Sequence, residues 1–250
     1  MNSPQRIVIV GASSAMAEHC ARLWVQRAPV QLVLLGRDSG KLERIANDLR
    51  VRSPQSEVEV HTCDFLDPQA IGTAAHAIAA GGRIDIVLIA HGTLPEQQQC
   101  QTDLVVCNAA LQINGVSPVL FAEAFALHLE KQQQGTLAII GSVAGDRGRK
   151  SNYSYGAAKG LVSRYAEGMQ HRFAATAIKV VLIKPGPTQT PMTAHLQGKG
   201  PALAPVEQVA ADILQAIDHG TPVRYTPAKW RLIMAVIKLM PRFLFHKTNI

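Results

Sequence analysis

The sequence predicts an α/β domain built on a doubly wound parallel sheet of seven strands, with helices on both faces. Three observations carry this. Short β-branched runs alternate with longer segments whose apolar residues recur at helical spacing. The strand runs are continuously apolar rather than alternating, as in strands covered on both faces. The 250 residues, 47% hydrophobic and 17% charged, match one globular domain with its own core. Repeated strand–helix units then imply right-handed crossovers.

Arg6–Val10 is the first strand and Ala15–Arg27 the helix after it. Strand 31–35 leads to a helix over 41–50, where Leu42, Ile45 and Leu49 share a face. Strand 58–62 precedes a helix near 69–80, and strand 84–90 a long helix over 104–131. Strand 136–141 precedes a helix over 155–175. Strand 178–183 precedes a Pro/Gly-rich loop, 185–205, too long for a plain connector and expected to close over a site. A helix over 206–219 and the short strand Val223–Thr226 complete a domain spanning 1–226, with 227–250 as a basic extension. The glutamines at 97–99 and 132–134 are expected at exposed loops or helix ends.

The formal charge is +7, but no Asp or Glu follows Asp218. Arg224, Lys229, Arg231, Lys238, Arg242 and Lys247 carry +6, which leaves about +1 for the first 218 residues. With aromatics at 5%, no nucleic-acid partner is expected. Cys20 and Cys63 sit in apolar contexts and Cys100 and Cys107 in a polar one. No cysteine pair or histidine cluster has metal-ligand spacing, so no metal is expected. A reducing, cytoplasmic compartment fits this cysteine usage. No apolar run approaches the ~18–20 residues that span a bilayer, and residues 1–6 lack the pattern of a secretory leader.

Ligands of such sheets bind at the carboxyl ends of the strands. The first strand ends in a turn, Gly11, Ala12, Ser13, Ser14, Ala15, Met16, Ala17, whose small residues and following helix N-terminus suit a pyrophosphate. A plain strand–helix turn reads the same way. After the second strand come Gly36, Arg37 and Asp38. A guanidinium at 37 suits a ribose 2′-phosphate, which favours NADP(H) over NAD(H). Asp38 is either the ribose-binding acid in a shifted register or a helix N-cap. Asp64, before Phe65, either accepts from an adenine amino group or caps the next helix.

Tyr155 and Lys159 are four apart on one helix face, so an ammonium lies beside a phenol and lowers its pKa toward the range useful for proton transfer. An exposed Tyr–Lys pair of no chemical consequence shows the same spacing. Tyr153 is the control, because Ala157 stands four residues beyond it. Ser142, thirteen residues before Tyr155, places a hydroxyl where a substrate carbonyl oxygen would meet the phenol.

In this order and spacing the turn at 11–17, Ser142, Tyr155/Lys159 and Pro185-Gly186 resemble the short-chain dehydrogenase/reductase family, over about 6–225. The resemblance implies a Rossmann fold and a homodimer or homotetramer formed through helices 104–131 and 155–175. It implies reduction of a ketone by hydride transfer from NADPH, with Tyr155 as proton donor, Ser142 orienting the carbonyl and Lys159 holding the ribose. Asn114 matches the family's helix asparagine and would hold a water for proton resupply. Thr188 and Thr190 match the segment that receives the nicotinamide. Where the family has Asn-Ala-Gly after the fourth strand, this chain has Ala90-His91-Gly92; Ala90 and Gly92 remain cofactor contacts, and His91 is expected to be structural. Another small or lipid-like ketone, or a non-catalytic nucleotide-binding role, is the alternative.

Residues 228–240 place Trp230, Ile233, Ile237 and Met240 at helical spacing, with Arg231 and Lys238 on another face. Such a segment suits either an anionic membrane surface or packing on the domain or a partner subunit. Together with Arg147 and Arg149 it resembles a bacterial subgroup similar to decaprenylphosphoryl-2-keto-erythro-pentose reductase. That resemblance implies a polyprenyl-phosphate-linked keto sugar whose phosphodiester meets Arg147 and Arg149, and a place at the inner face of the membrane.

Overall fold

In chain order the strands are β1 (Arg6–Val10), β2 (Gln31–Gly36), β3 (Glu57–Thr62), β4 (Ile86–Ile89), β5 (Gln134–Ile140), β6 (Ala177–Pro185) and β7 (Val223–Thr226). They form one seven-stranded sheet in the order β3-β2-β1-β4-β5-β6-β7, every pairing parallel. The computed structural model describes residues 4–196, 198 and 202–248.

The helices are α1 (Ala15–Arg27), α2 (Ser39–Arg52), α3 (Pro68–Ala80), α4 (Gln97–Thr102), α5 (Leu104–Leu111), α6 (Ser117–Gln132), α7 (Tyr153–Arg172), α8 (Val206–Asp218), α9 (Lys229–Leu239) and α10 (Arg242–Phe245). Alternate strand residues feed two cores, as strand geometry requires. Ile7 and Ile9 join Trp24 of α1, Leu42 and Leu49 of α2 and Ile213 of α8. Val8 and Val10 join Ile78 of α3, Phe121 and Phe125 of α6 and Val162 of α7.

Several boundaries depart from the sequence reading. The predicted helix 104–131 is interrupted by a π-helical turn, Gln112–Val116, at Asn114. The helical stretch Leu104–Gln132 is in fact long and apolar enough to cross a membrane, with an 18-residue window of mean hydropathy 1.6. Here it is a core helix, because Phe121, Ala122, Phe125 and Leu129 pack on the sheet. Gln97 opens an additional helix, α4, and is buried: its amide donates to Ser154 Oγ (3.1 Å) and accepts from Ser154 N (3.0 Å). Gln132 likewise bonds both backbone groups of Ile84. These glutamines serve backbone groups that the core would otherwise strand. Asp38 caps α2, accepting from Lys41 N at 3.0 Å. The cysteines are all free.

The extension is docked by one face. Trp230, Met234 and Ile237 pack with Val143, beside Tyr225 and Phe245. This corrects the apolar stripe read from the sequence, because Trp230 and Ile237 face inward. The outward apolar side is instead Leu232, Ile233, Val236 and Leu239. Arg147 is also reassigned: its guanidinium donates to the carbonyls of Ile237 and Met240 and lies over the Phe245 ring, 3.9 Å from the centroid. It closes the carboxyl end of α9 and is not left for a phosphodiester.

The 3₁₀ turn Val143–Asp146 follows Ser142 directly. Asp146, buried, accepts from Lys184 Nζ of β6 (2.6 Å) and from the Tyr225 hydroxyl of β7 (2.8 Å). Removing one member of a buried pair strands the other charge. Asp146→Ala is therefore expected to cost about 3–5 kcal/mol of stability, read as a lower urea midpoint. A variant with the wild-type midpoint would show that the pair does not hold this turn.

Candidate active site

The strand order reverses between β1 and β4, and a crevice opens where their carboxyl ends part. Gly11 forms one lip. Its φ is +80°, and a Cβ there would lie 2.6 Å from that of His91, so only glycine fits. The cleft has two lobes that share Ser14, Met16, His91, Gly92, Thr190 and Met192.

One lobe is lined by Gly11, Ser13, Ser14, Ala15, Met16, Arg37 and Phe65. Ser14 precedes α1 without a side-chain cap, so the helix's first N–H groups are left for a ligand. Arg37 has no carboxylate within ion-pair range among the described residues. Asp64 does not line the cleft. It accepts from Leu66 N in a local turn (2.9 Å), and the cap of α3 is Asp67, which corrects the capping reading of Asp64.

The other lobe gathers Ser142, Tyr155, Lys159, Ala90, Gly92, Pro185, Gly186, Thr188 and Thr190. Ser142 closes β5 and accepts from Ala144 N (3.0 Å), which fixes its hydroxyl. Tyr155 and Lys159 project from the first turns of α7. Lys159 is buried, donates to the Ile140 carbonyl (3.0 Å), and is pulled down to about 8 by burial. Its ammonium stands 6.0 Å from the Tyr155 ring centroid. Burial pushes the Tyr155 phenol above its usual range, against a hydrogen bond from Ser142 and the charge of Arg149, which both lower it. This corrects the expected source of the lowering: the charge that acts on the phenol is that of Arg149 and not that of Lys159, and the net direction is upward. Asn114 lies behind this wall rather than in it. Its Oδ1 accepts from Thr93 N (2.8 Å) and its Nδ2 donates to the Ala110 carbonyl (2.9 Å). Tyr153 faces outward, 46% exposed.

The 185–205 loop does reach over the cleft. Thr190, Pro191, Met192 and Thr193 line it, and His195 meets Glu96 at 3.6 Å on the far rim. Residues 197 and 199–201 of the loop lie outside the described residues, as do 249 and 250 of the extension.

A family model described as short chain dehydrogenase matches residues 5–199. The chain belongs to the short-chain dehydrogenase family. It is an oxidoreductase of that family. An uncharacterized oxidoreductase of Streptomyces coelicolor is 27% identical over 98% of this chain and 96% of its own length. One from Mycobacterium tuberculosis is 29% identical, covering 96% of each. A solved short chain dehydrogenase from Burkholderia cenocepacia, in complex with NADP, superposes with a TM-score of 0.82 at 18% identity over 98% of this chain and 97% of that one. One from Sphingobium yanoikuyae, in complex with NADPH, gives 0.81 at 22% identity over 95% and 97%. These likenesses establish the Rossmann fold.

In this short-chain dehydrogenase His91 stands between the lobes as an uncharged wall. Its Nε2 pairs with Ser117 Oγ (2.9 Å), and its ring meets Phe65 and Phe121 edge-on. Burial pulls its pKa down to about 3, helped by the charges of Lys159 and Arg37. The unfolded chain therefore binds a proton here that the folded chain refuses, between about pH 6.5 and about pH 3. Stability rises with pH across that window and is lost as pH falls. His91→Phe is expected to lose less stability than wild type between pH 7 and 4.5 in urea melts. Equal losses would remove His91 from the acid response.

Proposed function

We propose that this protein reduces a ketone to an alcohol with NADPH. The carrying observation is that Ser142, Tyr155 and Lys159 line one lobe of a cleft whose other lobe suits a phosphorylated nucleotide. The residues fit that cofactor. The N-terminus of α1 with Ser13 and Ser14 would hold the pyrophosphate. Arg37, without a carboxylate partner among the described residues, would take a 2′-phosphate. Asp38 is spent on Lys41, so it does not supply the acid that a ribose 2′-hydroxyl needs. The NADP and NADPH complexes of the two structural neighbours accord with this choice.

Bound NADPH supplies the hydride. Ser142 donates to the substrate carbonyl oxygen and holds it beside the phenol. Tyr155 delivers its proton to that oxygen. Lys159 would hold the ribose, and Arg149 stabilises the phenolate left behind. Asn114 holds the backbone of Thr93 and would anchor the water that returns a proton. Tyr155→Phe is expected to reduce NADPH consumption with a ketone panel by at least about a hundredfold, while NADPH binding followed by fluorescence persists. Near-wild-type turnover would remove the mechanism.

The substrate we propose is a ketone carried on a lipid phosphate, of the polyprenyl-linked keto-sugar kind. What supports it is the outer face of the extension. Leu232, Val236, Leu239 and Phe243 are 56–84% exposed, with Lys229, Arg231, Lys238 and Arg242 beside them and no acid. An isologous contact would set these cations against themselves, whereas an anionic lipid surface complements them. The protein then works at the inner face of the membrane. Exposed Leu104, Val105 and Leu161 on α5 and α7 are left for a homo-oligomer. Leu232→Glu/Leu239→Glu is expected to abolish co-sedimentation with phosphatidylglycerol vesicles. Equal sedimentation, or dimer dissociation in its place, would overturn the membrane reading.

A further inference from the structure

Arg149 is a cation in the substrate wall with no ion-pair partner among the described residues. It lines the catalytic lobe and also a neighbouring groove formed with Lys150, Tyr153, Phe245 and His246. Neither lining includes an acid among the described residues. Its Nε is buried without a hydrogen-bond partner. Asp146, the acid that acts on it through space, is already held by Lys184 and Tyr225. The contrast with Arg147 is informative. Two residues earlier in the chain, that guanidinium is spent on the carbonyls of α9. The Asn152 amide oxygen, in the same wall, is also buried without a donor.

A half-buried guanidinium whose Nε is sealed from water without an acceptor is unfavourable unless a ligand supplies one. A planar fork of N–H donors matches the oxygens of a carboxylate or phosphate. We propose that Arg149 is the anion-binding subsite of this pocket, and that the substrate is a ketone bearing an oxyanion, phosphate or carboxylate. Asn152 accepts from a hydroxyl beside it. This rests on the reading of the pocket as a ketone site. It assigns the oxyanion contact to Arg149 and denies it to Arg147.

Two arms test it. In the first, 4-oxopentanoate, 5-oxohexanoate and 6-oxoheptanoate are compared with their methyl esters, which present the same ketone without the charge. Wild type is expected to prefer the acid at one chain length by at least about tenfold in kcat/KM. The preference is expected to vanish in Arg149→Met and to return in part in Arg149→Lys. NADPH affinity and melting temperature report whether each variant is folded. In the second, inorganic phosphate and phenylphosphonate are titrated calorimetrically into NADPH-saturated protein, with the cofactor's own phosphate sites already filled. Binding is expected in wild type and at least about fivefold weaker in Arg149→Met. An acid-to-ester ratio that Arg149→Met leaves unchanged, or phosphate binding that it does not weaken, overturns the proposal. Arg149-dependent phosphate binding without turnover of any ketone would keep the anion site and sink the reductase reading instead.

Discussion

Burying the Lys159 ammonium costs solvation that one hydrogen bond to the Ile140 carbonyl only partly returns, and its pKa is accordingly pulled down to about 8. That constraint organises the carboxyl edge of the sheet. The amine reaches Ile140 only if the start of α7 lies against the end of β5. The turn after β5 must then pass close beneath the helix. It does so at Gly145, where a Cβ would stand 2.6 Å from the Lys159 carbonyl carbon and oxygen. Ser142 and Tyr155 are thereby brought onto one wall, although thirteen residues separate them in the chain.

The same turn is held from its other side. Asp146 ties it to β6 and β7 through Lys184 and Tyr225. Val143 packs under Trp230, whose indole occupies the space a Cβ at Gly186 would need, 2.0 Å away. Strain or slack in any of these contacts reaches Ser142 within a few bonds. Catalytic orientation is thus a property of packing around the turn and not of the hydroxyl alone.

The sheet, its order-defining strand runs and most helices were legible because each signal is local and periodic. Tyr155, Lys159 and Ser142 were legible because their spacing is chemical as well as local. What escaped depended on partners distant in sequence. Gln97 is polar in the chain and buried in the fold because Ser154, fifty-seven residues away, takes both ends of its amide. Arg147 and Arg149 are indistinguishable as letters; only the position of α9 spends one and leaves the other. The π-helical turn at Asn114 has no compositional mark, since one extra residue per turn is a backbone adjustment. For α9, the 3.6-residue period identified an amphipathic helix but not which of two apolar faces was docked.

That ambiguity has a physical origin. Around α9 the apolar arc runs from the docked Trp230, Met234 and Ile237 to the exposed Leu232, Val236 and Leu239, and Arg231 and Lys238 occupy the polar strip between them. A helix apolar over so much of its circumference needs two neighbours. The domain supplies one, and Arg147 fastens it by closing the helix's carboxyl end. The second neighbour, a lipid surface in our proposal, meets side chains that point away from the first. Engagement of the outer face therefore leaves the Trp230 contact and the turn beneath it undisturbed, so the segment can serve as anchor and as brace at once.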